Sequence, residues 1–74
     1  MPTLVDARRG VKGTILSLPE SAELRSQCIR LGLCVGANFT CIERLPGGTI
    51  VVETNRQEIA LGRSLAGSIG VELG

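Results

Sequence analysis

The side chains best suited to chemistry in this sequence are three cysteines, Cys28, Cys34 and Cys41. They are separated by five and six residues, so no Cys-x-x-Cys pair occurs, and the chain has no histidine. A structural zinc site usually has four ligands at short spacings. An odd number of cysteines also fits reduced thiols better than a disulfide framework. The pattern therefore favours free thiols that pack as small hydrophobic side chains, with Cys28 and Cys41 facing inward and Cys34 exposed.

The other polar residues do not form a recognisable catalytic set. Without histidine there is no ordinary general base, and the five serines lie in no nucleophile motif. The glycines do not match the phosphate-binding pattern G-x-x-x-x-G-K-[ST]. The sequence therefore predicts a protein that is not an enzyme and has no cofactor, catalytic residue or metal ligand. The alternative is weak binding of Fe²⁺ or Zn²⁺ by Cys34 with a nearby glutamate, for instance between two chains.

Length and composition narrow the domain number, the type of partner and the location that are expected. Seventy-four residues predict a single domain, 1–74, with a thin core. A net charge of +1 and one aromatic residue, Phe39, argue against nucleic-acid binding, which uses basic patches and stacking rings. Residues 1–10 lack the apolar run of a secretory signal, and no apolar stretch approaches the roughly 20 residues that span a bilayer. We therefore expect a cytoplasmic protein.

The segment from Ser21 to Leu31 predicts the one long helix, at about 21–31. Ser21 is a suitable N-cap, and Leu24, Cys28 and Leu31 recur at the spacing of one helical face. Gly32 follows as a residue that readily adopts the left-handed conformation after a helix. Ile29 lies on the other side, where it either packs under a neighbouring loop or belongs to an exposed partner-binding patch.

Short runs rich in aliphatic and β-branched residues predict five to six strands. Gly13 suggests a bulge or sharp bend in the first long strand, and residues 63–66 suggest a single helical turn. Because so many short strands cannot build a sandwich of normal size, a closed or nearly closed small barrel is expected. The predicted strands are Thr3–Val5 at a sheet edge, Val11–Leu18, Phe39–Leu45, Thr49–Thr54, Gln57–Leu61 and Ser68–Leu73.

The order of these motifs resembles the FeoA family of small bacterial proteins of ferrous-iron uptake. The resemblance covers about residues 4–73 and rests on Leu31-Gly32-Leu33-x-x-Gly36, a strand that begins at Phe39, and the ending Ile59-Ala60-Leu61, Ala66 and Ile69-x-Val71. It implies a mainly β fold, a small SH3-like β-barrel with one inserted α-helix.

The resemblance also implies a function. FeoA proteins are expected to be cytoplasmic, non-catalytic regulators that bind the cytosolic GTPase-bearing region of the FeoB transporter and reach the inner membrane only through that partner. FeoA-like domains also occur in metal-dependent repressors, so a small metal-binding or metal-sensing protein is the alternative. This chain has no helix-turn-helix segment, which favours the stand-alone transport role. Activation or inhibition of transport and the oligomeric state are left open.

The contact surface for a partner is predicted around the end of the helix. The candidates are aliphatic or Arg-based because the chain lacks the aromatic residues of a proline-binding groove. The alternative is that these residues only close the core of the barrel. The predicted partner-binding residues are Ile29, Arg30, Leu33, Cys34 and Val35.

Overall fold

Runs of β-branched and aliphatic residues form five short strands, and the capped segment between the first two strands forms a helix. The computed structural model describes residues 2–74. The elements are β1 Lys12–Ser17, α1 Ala22–Arg30, β2 Asn38–Arg44, β3 Ile50–Thr54, β4 Gln57–Leu61, α2 Arg63–Ala66 and β5 Gly70–Leu73. The strands are all antiparallel and lie in one sheet in the order β4-β3-β2-β1-β5. The mainly β fold and the short helical turn are therefore confirmed.

The core lies between the inner face of the curved sheet and the helices. Side chains on each strand alternate between this face and solvent, as strand geometry requires. Leu24 and Leu31 of the predicted helical face are partly buried, and Leu31 packs against the core. The buried residues include Cys28 and Cys41, as predicted, together with Leu4, Ala7, Ile15, Leu33, Phe39, Ile50, Val52, Ile59, Leu61, Ala66, Ile69 and Val71. Within residues 2–74, no helix has the length and apolar character needed to cross a membrane.

The N-terminal segment lies along the β5 edge of the sheet. The outer edge of β5 is bonded to the N-terminal segment: the Val71 N–H donates to the Pro2 carbonyl, and Thr3 bridges to Gly70. The prediction of a strand at residues 3–5 is therefore correct only at Thr3. Residues 4–6 form a 3-10 turn instead, because the Asp6 carboxylate accepts a hydrogen bond of 2.9 Å from the Thr3 N–H.

Gly13 has a different role from the predicted one. The register of β1 against β5 shifts at Leu16, between Ile15 and Ser17, and Gly13 itself is regularly paired. A β-carbon at Gly13 would lie 2.8 Å from the ring of Phe39, its cross-strand neighbour, and would also meet the Glu72 carbonyl. The position needs glycine because two strands and an aromatic ring leave no room for a side chain.

We expect Gly13→Ser to destabilise the fold by about 1–3 kcal/mol, because the added atoms must displace the Phe39 ring or separate β1 from β5. Urea unfolding measures the loss. Gly62→Ser is the matched control, since Gly62 has a φ of −64° and a β-carbon there meets nothing within 4 Å. A similar loss of stability in both variants would show that the position of Gly13 does not specifically exclude a side chain.

Candidate partner-contact site

The end of α1 is fixed by a hydrogen-bonded Schellman motif. Gly32, with φ of +88°, follows the helix in the left-handed conformation. Its N–H donates to the Ile29 carbonyl at 3.0 Å, and the Leu33 N–H donates to the Cys28 carbonyl at 2.9 Å. In such a motif the second residue after the cap folds its side chain back over the last helical turn. The motif therefore sets the positions of both the last helical residues and the loop that follows.

The next four residues, Cys34 to Ala37, form a tight turn. The Ala37 N–H donates to the Cys34 carbonyl at 3.0 Å, and Gly36 has φ of +91°, the geometry of a type II turn. The Gly36 N–H donates to the Ile15 carbonyl at 2.7 Å, and the Ile15 N–H donates to the Ala37 carbonyl at 2.9 Å. The turn is thus bonded to the middle of β1, and Val35 lies at its tip.

Four of the five predicted residues are exposed around this end of the helix. Ile29 is 53% exposed and Val35 is 63% exposed, both high for aliphatic side chains. Arg30 and Cys34 are also exposed. We call Ile29, Arg30, Cys34 and Val35 the helix-end face. Ile29 therefore does not pack under a neighbouring loop. The face presents two apolar side chains, a thiol and a cation. Six hydrogen bonds hold its backbone, and five of them, written donor first, are Gly32–Ile29, Leu33–Cys28, Ala37–Cys34, Gly36–Ile15 and Ile15–Ala37.

The sixth bond comes from the β3–β4 turn, where the Asn55 side-chain amide donates to the Gly32 carbonyl at 3.4 Å. Asn55 and Arg56 both have positive φ, 52° and 64°, which fits the two-residue turn predicted between β3 and β4. This bond connects the β3–β4 turn directly to the end of α1.

The prediction of Leu33 as a partner-binding residue is wrong for the folded chain. Leu33 is 0% exposed and belongs to the core cluster. The physical reason is the Schellman motif, in which the residue after the left-handed glycine packs against the helix, here beside buried Cys28. A hydrophobic residue directly after Gly32 was the signal in the sequence, and it indicates burial.

Sequence reasoning missed Leu16, which is 41% exposed. It follows Ile15, the residue that is bonded to the turn beneath Val35, so it lies next to the helix-end face. Strand alternation provided a signal for it, because Gly13 and Ile15 face inward and the residue after Ile15 must face outward. Leu16 extends the apolar part of the surface onto the sheet.

The cysteines differ in environment as predicted. Cys34 is exposed, whereas Cys28 and Cys41 are buried. Burial raises the pKa of the Cys28 thiol. Burial also raises the pKa of the Cys41 thiol, opposed by the Arg44 charge and a backbone hydrogen bond at Glu43. Among residues 2–74, no three His, Cys, Asp or Glu side chains are grouped to hold a metal ion.

We expect one thiol, Cys34, to react rapidly with a thiol reagent such as DTNB in the folded protein, because only a thiolate that solvent reaches is reactive. Cys28 and Cys41 should react only after unfolding. Rapid reaction of two or more thiols without unfolding would contradict the burial. Cys34→Ser should abolish the fast phase.

Since unfolded thiols ionise near about pH 8.5, the two raised pKa values should make the fold less stable as pH rises through that value.

A shallow groove of about 630 Å³ lies elsewhere on the sheet. Its lining includes two cations, Lys12 and Arg56, one carboxylate, Glu53, and the hydroxyl of Thr14, which donates to the Asn38 side-chain oxygen at 3.1 Å. These opposite charges do not favour one class of ligand. The helix-end face is therefore the better candidate for recognition.

Comparison with known proteins bears on the fold. The sequence model of the FeoA domain family matches residues 3–73. An iron uptake regulatory protein (FeoA) is 26% identical, with a TM-score of 0.90 over 97% of this chain and 96% of that chain. The zinc-complexed FeoA of Stenotrophomonas maltophilia, described as an SH3 domain protein, is 18% identical, with a TM-score of 0.80 over 97% and 91%.

A manganese-dependent transcriptional repressor also shares the fold. It is 20% identical, with a TM-score of 0.89 over 99% of this chain and 42% of that chain. At these low identities, the repressor and the zinc-complexed protein show the fold alone. They confirm the SH3-like barrel with an inserted helix. A search of curated protein sequences gives no significant match.

Proposed function

The chain belongs to the FeoA family, whose members are accessory proteins of ferrous-iron transport, and from this we propose that it binds the cytosolic GTPase-bearing region of a FeoB-type transporter. In this role it regulates iron uptake from the cytoplasm without catalysing a reaction. It reaches the inner membrane only through the transporter.

The observation that carries the proposal is the helix-end face. Ile29 and Val35 expose aliphatic surface on a small domain whose other aliphatic side chains are mostly buried. Their backbone is fixed by the Schellman motif and by the turn bonded to Ile15, so little conformational entropy is lost when a partner binds. Arg30 beside them provides a donor group for a carboxylate or carbonyl of the partner.

The test is direct binding of the pure chain to the transporter from the same organism. The immobilised chain is exposed to the soluble GTPase domain and, separately, to the full-length transporter in nanodiscs, each with and without GTP and Fe²⁺. We expect saturable binding to both forms in at least one nucleotide state. Absence of saturable binding to either form in every state, by a chain shown to be folded, would overturn the proposal.

Metal binding is the second candidate, and its support is the exposed Cys34 thiol. The other two thiols are buried, so further ligands would have to come from glutamates or from a second chain. Titration of the pure protein with Fe²⁺ or Zn²⁺ decides between the candidates. Binding tighter than about millimolar, roughly −4 kcal/mol, that is lost in Cys34→Ser would favour a metal role.

A further inference from the structure

Among residues 2–74, no segment is hydrogen-bonded to the outer edge of β4. β4 ends the strand order, whereas the edge of β5 at the opposite end is bonded to residues 2–4. Because Thr54 and Gln57 flank a two-residue turn, they form a hydrogen-bonded pair, and the pairing alternates along the hairpin. The N–H and C=O groups of Glu58 and Ala60 therefore point away from β3, and both residues are exposed.

The side chains beside this edge carry an unusual charge arrangement. Glu58 lies directly opposite Glu53 on β3, and both are exposed. Like charges at directly opposed positions are unfavourable in a sheet. One charge on an edge strand discourages aggregation, but that role does not require a second glutamate opposite the first. The pair places two negative charges where an incoming strand would add its own side chain.

The neighbouring position is apolar and small. Ala60 lies opposite Val51, which is half-buried, on the same outer face as the two glutamates. An alanine next to an open edge leaves space above the sheet. An aliphatic side chain from an added strand would cover Ala60 and reach the exposed part of Val51.

From these features we propose that the β4 edge binds an extended segment of a partner protein by adding an antiparallel strand to the sheet. The segment has a basic residue opposite Glu58 and an aliphatic residue opposite Ala60, two positions apart. Main-chain hydrogen bonds to Glu58 and Ala60 provide affinity, and the two side chains provide selectivity. This surface is distinct from the helix-end face, and the proposal does not depend on binding to the transporter.

A second copy of this chain is a poor occupant of the edge. Antiparallel pairing of two β4 strands about Ile59 would place each Glu58 opposite Ala60 of the other copy and diagonal to the other Glu58, so neither copy would supply a basic residue opposite Glu58. A basic segment instead places its charge beside Glu58, which does not line the groove that holds Lys12 and Arg56 together with Glu53. The charge therefore selects against self-association and in favour of a basic strand.

The probe is an acetylated and amidated peptide, Thr-Lys-Thr-Val-Thr-Lys-Thr-Val, which alternates Lys and Val on one face. It is titrated into the ¹⁵N-labelled full chain. We expect amide shifts concentrated on residues 57–61 and at least tenfold slower hydrogen exchange of the Glu58 and Ala60 amides at saturation. The same peptide with Glu in place of Lys should bind at least tenfold more weakly.

Two further controls separate strand addition from simple charge attraction. Glu58→Lys should weaken binding at least tenfold, whereas Glu72→Lys, an equal charge change on the covered β5 strand, should change affinity less than twofold.

N-methylation of the Lys and Val amides of the peptide should abolish binding, because those amides face the edge, whereas N-methylation of the Thr amides should not. No binding, equal loss in the two charge variants, or indifference to N-methylation would each overturn the proposal.

Discussion

Leu33→Ala is expected to lower the free energy of unfolding by about 2–5 kcal/mol, the cost of emptying a fully buried leucine site. A domain of 74 residues has roughly 4–11 kcal/mol of stability in total, at about 0.05–0.15 kcal/mol per residue. The expected loss is therefore a large share of the total free energy of unfolding. Leu33→Asp, which buries a carboxylate at the same site, should leave no folded protein.

Urea unfolding followed by circular dichroism measures both changes. Leu16→Ala is the matched control, because Leu16 is 41% exposed and lies beside the same turn. It should cost less than Leu33→Ala, since 41% of the Leu16 surface is already in water. If Leu33→Ala costs no more than Leu16→Ala, the Schellman motif does not pack Leu33 into the core as described.

The second large effect concerns binding. Ile29→Gln and Val35→Gln should each weaken binding to the GTPase-bearing region at least tenfold, or about 1.4 kcal/mol, because each removes an exposed apolar contact at the centre of the helix-end face. Glutamine is close in size, carries no charge and is well tolerated in a helix, so folding should be preserved. The measurement is the affinity for the soluble GTPase domain.

Leu45→Gln controls for loss of any exposed aliphatic residue. Leu45 is 39% exposed and follows β2 at the hairpin with β3, away from the helix-end face. Its variant should bind like the wild type. Unchanged affinity in both test variants, or an equal loss in Leu45→Gln, would exclude the helix-end face as the contact.

Much of the fold could be predicted from local sequence, because the relevant interactions are local. Ser21 caps α1 by accepting a hydrogen bond of 3.4 Å from the Leu24 N–H, so the helix lies within one residue of its predicted limits at each end. Gly47, Gly48 and Asn55 in the hairpin turns adopt the positive φ angles that their residue types favour, whereas the positive φ of Arg56 is not indicated by its residue type. The five observed strands agree with their predicted limits to within two residues, whereas the sixth predicted strand, at residues 3–5, is only a bridge at Thr3.

The errors lie in contacts between distant parts of the chain and, for Leu33, in a local motif that the sequence prediction did not use. The strand bulge was expected at Gly13, but that glycine is required by the Phe39 ring, 26 positions away in sequence. Burial of Leu33 follows from a local motif, but hydrophobicity alone does not distinguish a core leucine from a surface one. The open edge of β4 could not be predicted, since strand order depends on all the pairings together.

The most direct test of the central claim is an amide-resonance titration of the ¹⁵N-labelled chain with the soluble GTPase domain of the transporter, with and without GTP and Fe²⁺. We predict shifts concentrated on residues 29–36 and on Leu16, with the core amides of Ile50 and Val52 unaffected. Binding whose shifts lie elsewhere, with residues 29–36 unchanged, would contradict the account of how this FeoA protein meets its partner.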